Sequence, residues 1–174
     1  MKQENLRLTG VERHFDEHEI IVSKTDLKGR ITYANDVFLR ISGYREDDLL
    51  GQPHSIIRHP DMPRCVFSLM WETLAKGREI FAYVINRSVN GDHYWVLANV
   101  TPSFHADGSI RGYHSYRRKP RRDAVTAAAE LYRHLCRAEE SVQNRRDGMK
   151  HGTAELMALL QSRRMDYDQF VFAL

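Results

Sequence analysis

The chain has 174 residues, 42% of them hydrophobic and 28% charged, with a formal net charge of +3. That length and apolar supply suit one ordinary domain with an appendage and argue against disorder. The mixed, nearly balanced charges exclude a general drive toward nucleic acid or anionic membrane.

The opening MKQENLRLTG lacks the apolar core of a signal peptide. No run approaches the roughly 20 apolar residues of a membrane span. Cys65 and Cys136 are far apart and outside any CxxC spacing, so neither a disulfide framework nor a zinc site is expected and a reducing cytosol fits. A soluble, cytoplasmic protein is the expectation.

Residues 1–18 are polar, and the spacing of Leu8, Val11 and Phe15 predicts a short N-terminal cap helix. The β-branched run 20–26 reads as a strand, turned by Lys28-Gly29 into a partner over 30–35. Short helices follow from Asp36 to about Leu50, punctuated by Gly43 and Gly51. Pro53, Pro60 and Pro63 hold 54–63 to a loop or single turn. Val66, Phe67, Met70, Trp71 and Leu74 then fall at helical spacing, with the helix ending near Gly77.

Three strands are predicted next, over 80–87, 93–104 and 110 to about 118. Asn90-Gly91 is a hairpin signal, since both residues tolerate positive φ. Apolar residues occupy both parities, as in Ile80 to Ile85, so something covers each face of the sheet: short helices on one, and on the other the N-terminal segment, the C-terminal helices or a second subunit. Arg117-Arg118-Lys119-Pro120-Arg121-Arg122 reads as a solvated basic linker. Beyond it, Val125 to Cys136 form an amphipathic helix, a second helix is expected around 153–161, and a short apolar end runs from Tyr167 to Leu174. Strands split around a helical middle and joined by hairpins give an α+β fold with an antiparallel sheet.

The order β-β-α-α-α-α-β-β-β resembles the PAS family. Three segments resemble the PAS sensor of bacterial aerotaxis receptors: Ile31-Thr32-Tyr33-Ala34-Asn35-Asp36; Gly51-Gln52-Pro53-His54 with Arg58-His59-Pro60-Asp61-Met62-Pro63; and Asn90-Gly91-Asp92-His93-Tyr94-Trp95-Val96. Trp71 falls at the matching place in the long helix. The resemblance covers about 20–118 and implies a five-stranded PAS sheet holding FAD non-covalently as a redox or oxygen sensor. The division implied is a cap segment 1–19, a sensor domain 20–119 and a helical extension 120–174. By the same resemblance Arg58, His59 and Asp61 form a loop that FAD binding requires, Trp71 and Asn86 sit beside the flavin ring, and Asn35 and Asn99 are further contacts. It also implies a homodimer and a signalling protein partner. Beyond residue 118 the chain departs from the receptors, which continue into a membrane anchor and a signalling coiled coil.

The chemistry of these residues is compatible with that reading and with blander ones. Amides donate and accept hydrogen bonds without charging a low-dielectric site, yet Asn86 and Asn99 in strands also fit ends, bulges or exposed edges. Arg58 suits a phosphate because its planar fork bonds two oxygens; Asp61 suits orienting Arg58 or capping the next helix. Trp71 and Trp95 fit a core as well as a ligand face. Haem through His59, His93 or His114 is the alternative cofactor, although 64–77 contains no histidine. A light-sensing flavin adduct needs a motif that is missing around Cys65, and a cofactor-free interaction module is the third reading. No nucleophile triad, HExxH or P-loop is present, so no enzyme is expected. The FAD reading requires an amide-lined cavity between sheet and helices.

Overall fold

The computed structural model describes residues 7–174. Strands β1 (Ile21–Thr25), β2 (Ile31–Ala34), β3 (Ile80–Arg87), β4 (His93–Phe104) and β5 (Ile110–Arg118) form one sheet in the order β2-β1-β5-β4-β3. All four pairings are antiparallel. Between β2 and β3 lie α1 (Asp36–Ser42), α2 (Glu46–Leu49), a 3-10 turn (His54–Ile57) and α3 (Arg64–Ala75). After β5 come α4 (Arg122–Glu140), α5 (Arg145–Arg163) and α6 (Tyr167–Ala173). This is the expected α+β order.

Apolar residues at both strand parities do serve two covered faces. Phe38, Ile41, Leu49 and Ile57 pack with Ile21, Ile31, Tyr94, Val96 and Ala98 on the inner face. On the outer face of β3 and β4, Tyr83, Ile85 and Trp95 pack with Val125, Tyr132, Leu135, Phe170 and Val171. Tyr132 donates its hydroxyl hydrogen to the Tyr83 carbonyl at 2.6 Å, and its ring stacks on Trp95. The C-terminal helices therefore dock on the outer face of the sheet, and Trp95 is a core residue.

Three local expectations are corrected. The N-terminal segment is extended, not helical: His93 donates to the Val11 carbonyl and Arg13 to the His93 carbonyl, so it runs beside the start of β4, with Phe15 buried in the inner core. Residues 1–6 lie outside the described part. In the 90–91 turn only Gly91 takes positive φ, at 94°; Asn90 instead ties its side chain to Asp92. Helix α5 starts at Arg145, eight residues before the expected 153, because Gly148 and Gly152 are contact points and not breaks. A Cβ at Gly148 would meet the Glu139 carbonyl at 2.1 Å, and one at Gly152 would meet Glu139 Cγ at 2.7 Å, so these glycines let α5 approach α4.

Helix α3 has no side-chain cap of its own. The Glu139 carboxylate at the end of α4 fills that role: it accepts from the backbone N–H of Arg64 at 3.1 Å and of Cys65 at 2.7 Å. It also accepts from Arg64 Nε at 2.7 Å. A buried anion at a helix N-terminus meets orphan donors and the positive end of the dipole together.

Candidate functional site

A cavity of about 250 Å³ lies between the inner sheet face and the helices. Most of its wall is apolar: Ile57 from the 3-10 turn, Phe67, Met70 and Leu74 from α3, Ile80, Ala82 and Val84 from β3, and Ala98 and Val100 from β4. The period of two in each strand decides which side chains face inward. Among the lining residues, Lys28, Ser55 and Trp71 are exposed and mark the mouth. Trp71 meets the Tyr113 ring edge-on at 5.3 Å. The volume is just below the range of about 300–1,000 Å³ usual for small-molecule sites, enough for a fused-ring system whose remainder leaves through the mouth.

Polar atoms in this wall lack partners. Asn86 Nδ2, Arg58 Nε, His114 Nε2, Ser115 Oγ and Arg117 Nη1 are buried without a hydrogen bond, and all five residues line the cavity. Buried polar groups are ordinarily paired, and an unpaired one costs about 1–3 kcal/mol. Five on residues around one space mark a site built to hydrogen-bond something within it.

Arg117 was expected in a solvated linker; the structure corrects that. Strand β5 reaches Arg118, and Arg117 shares the inward parity of Tyr113 and Ser115, with 4% exposure. Its Nη2 donates to Ser23 Oγ at 2.8 Å and to His54 Nε2 at 2.7 Å. Burial, then the charge of Arg117, push His54 down to about 3, so His54 is a neutral acceptor stacked on Phe38. Burial lowers Arg117 to about 10, which still leaves it charged at neutral pH. Sequence reasoning missed Arg117, His54, Ser23 and Ser115. The parity of β5 was the usable signal for Ser115 and Arg117.

The expected site residues divide. Arg58, Trp71 and Asn86 line the cavity. Arg58 and Asn86 are joined by an isolated antiparallel bridge, and the Arg58 guanidinium lies 3.7 Å over the Phe67 ring. His59 and Asp61 stand behind this wall. His59 is buried, its Nδ1 accepts from the Asp61 N–H at 3.2 Å, and its ring meets His93 edge-on at 5.8 Å. Burial holds His59 below its ordinary pKa, against the opposing pull of Asp61. These two residues shape the loop that presents Arg58.

Asn35 and Asn99 do not reach the cavity. Asn35 caps α1, accepting from Phe38 N at 3.1 Å and Val22 N at 3.0 Å and donating to the Ile20 carbonyl. Asn99 has the opposite parity to Ala98 and Val100, and donates to Glu79 on the other face. His114, named for haem, is a lining residue whose ring stacks on Tyr116 with Nε2 unpartnered. Among the described residues no three His, Cys, Asp or Glu side chains group to hold a metal ion.

The family model of the PAS fold matches residues 31–117, half of the chain. The chain belongs to the PAS family. Within the family it is 47% identical over 115 residues to the aerotaxis receptor of Escherichia coli (strain K12), covering 66% of this chain and 22% of the receptor. It is 31% identical over 98 residues to a nitrogen fixation regulatory protein of Klebsiella pneumoniae, covering 56% of this chain and 20% of that protein. The chain thus spans about a fifth of the length of these relatives.

Among solved structures, the PAS fold is matched by the light state of the blue-light photoreceptor Aureochrome1 LOV. The TM-score is 0.57 at 20% identity, covering 66% of this chain and 90% of that one. The PAS domain of a protein from Colwellia psychrerythraea matches at TM-score 0.53 and 19% identity, covering 58% of this chain and 86% of that one. Among the described residues no helix is long and apolar enough to cross a membrane.

Proposed function

We propose that residues 20–119 are a sensor domain that seats FAD non-covalently, isoalloxazine inward, and that the protein reports redox or oxygen status rather than catalysing a reaction. The observation that carries this reading is the cavity whose lining residues carry five unpartnered polar atoms. Its apolar walls suit the faces of a flat aromatic ring, while Asn86, Ser115, Arg58 and Arg117 suit the ring's carbonyl and nitrogen edge. Similarity to a protein named an aerotaxis receptor supports the choice of flavin and signal. Bound flavin supplies reversible acceptance of electrons; the chain's residues position the ring and answer its change in hydrogen bonding.

Asn86 is the residue to answer it. Its amide can present nitrogen to an acceptor or, after rotation, oxygen to a donor. Asn86 also bridges to the backbone of Arg58, whose guanidinium lies on Phe67 of α3. The N-terminus of α3, two residues before Phe67, is held by Glu139. A ligand state that changes contacts along this wall biases how 120–174 sits against the core, with the described residues 7–19 of the cap segment 1–19 running beside the start of β4. The helical extension then passes the state to a cytoplasmic signalling partner or to a second copy of the chain.

The test is a spectrum of the purified full chain. Flavin absorption bands with FAD released on denaturation support the reading. Colourless protein that FAD cannot reconstitute sinks it and leaves an interaction module. A Soret band replaces flavin with haem.

A further inference from the structure

Among the unpartnered cavity groups, Arg117 alone combines a full charge with almost complete enclosure. Arg58 is partly open and rests on Phe67; Asn86 and Ser115 are neutral. Arg117 is 4% exposed, and a guanidinium enclosed without an anion is costly. Every group facing it is neutral. Ser23 and His54 accept from Nη2, and His54 is held far below its ordinary pKa. The buried Tyr94 hydroxyl is pushed upward and stays protonated. His114, which also feels Arg117, is lowered. No carboxylate among the described residues bonds Arg117, and Nη1 has no partner. The wall therefore presents a buried, fixed positive charge with a free donor to the cavity.

We infer that Arg117 is an anion-accepting subsite for the ring of the bound ligand, so that a flavin in this cavity is reduced to a form that keeps a negative charge facing Nη1. This rests on the flavin reading above. In the balanced step two electrons and one proton enter the ring, the proton going to N5. The second proton, which N1 takes up in neutral surroundings, is replaced by the charge of Arg117. The phosphates of a bound flavin would be met at the mouth, where Lys28 is exposed, and not at Arg117.

The experiment is spectroelectrochemical titration of the full chain with dithionite as electron donor, across neutral pH, together with binding of riboflavin, FMN and FAD. In the wild type the midpoint falls with pH at the slope of one proton per two electrons. Arg117→Gln doubles that slope and lowers the midpoint by about 30 mV for each tenfold of preference lost between reduced and oxidised ring. Arg117→Lys keeps the wild-type slope. Arg117→Met, which removes the charge without burying an amide, is the second neutral variant if Arg117→Gln does not fold. A neutral variant with wild-type slope and midpoint overturns the inference while flavin binding stands. Loss confined to FMN and FAD, with riboflavin unaffected, also overturns it and assigns Arg117 to phosphate. Wild type that takes up no flavin fails the sensor reading itself.

Discussion

The carboxylate of Glu139 receives the backbone N–H of Cys65 at 2.7 Å although the two residues are 74 apart in the chain. One buried acid thus ties the N-terminus of a cavity-wall helix to the end of the first C-terminal helix, with Arg64 as its counter-ion at 2.7 Å. Glu139 is 3% exposed, so water does not compete for these bonds.

Removing that tie is expected to be costly. Glu139→Ala leaves Arg64 without its ion pair and returns two helix N–H groups to the orphan state, a loss of about 3 kcal/mol. Glu139→Gln keeps an acceptor and should lose less. Urea unfolding of the full chain measures both; a Glu139→Ala midpoint equal to wild type would contradict the clamp.

The glycines of α5 give a second, steric check. Alanine raises helix propensity by about 1 kcal/mol over glycine, so a free helix would gain from the change. Here the added Cβ at Gly148 runs into backbone and that at Gly152 into a side chain. Gly148→Ala should destabilise by about 1–3 kcal/mol, and Gly152→Ala by less because Glu139 Cγ can shift. Thermal melting that ranks Gly148→Ala as stabilising would show that α4 and α5 are not this close.

Asn86→Leu separates ligand binding from folding. The buried Nδ2 is unpaired, so replacing the amide by an apolar group of similar size is expected to leave the ligand-free protein as stable as wild type, or up to about 1 kcal/mol more stable. Flavin affinity should fall at least tenfold, because the ring loses an amide partner. Flavin titration by fluorescence reads the second effect and urea unfolding the first. Equal affinities would remove Asn86 from the site.

Acid should weaken the fold through His54. Its folded pKa is about 3 against 6.5 for the free side chain. Above pH 6.5 both states are neutral and nothing is lost. As pH falls below that, the unfolded chain takes up a proton that the native state refuses, so stability declines until about pH 3. The slope of about 1.4 kcal/mol per pH unit gives a loss of roughly 2 kcal/mol at pH 5, and His59, also lowered by burial, adds in the same direction. In His54→Gln, where the amide oxygen still accepts from Arg117, stability at pH 7 drops but its decline between pH 6.5 and 5 flattens. Chemical denaturation at the two pH values checks this; an equally steep decline in the variant would place the protonating group elsewhere.

What the sequence determined by itself was the order and type of the elements, because that information is local: β-branched runs, glycine and proline punctuation, and apolar spacing each act over a few residues. It also brought Arg58, Trp71 and Asn86 into consideration through motif resemblance, and the two-faced strands announced a second covering layer. It did not decide what forms that layer, nor that Gly148 and Gly152 serve contact instead of interruption, since a glycine's role depends on what approaches it. It ranked Asn86 above Asn99 by resemblance but did not exclude Asn99, whose strand parity turns it from a cavity that exists only after the sheet is paired. Arg117 was hidden for the same reason. Within a run of basic residues it reads as solvated, and only the register of β5 between β1 and β4 turns it inward. Tertiary structure decides such cases because burial of a charge is a property of everything packed around it, whereas propensity is a property of the residue and its nearest neighbours.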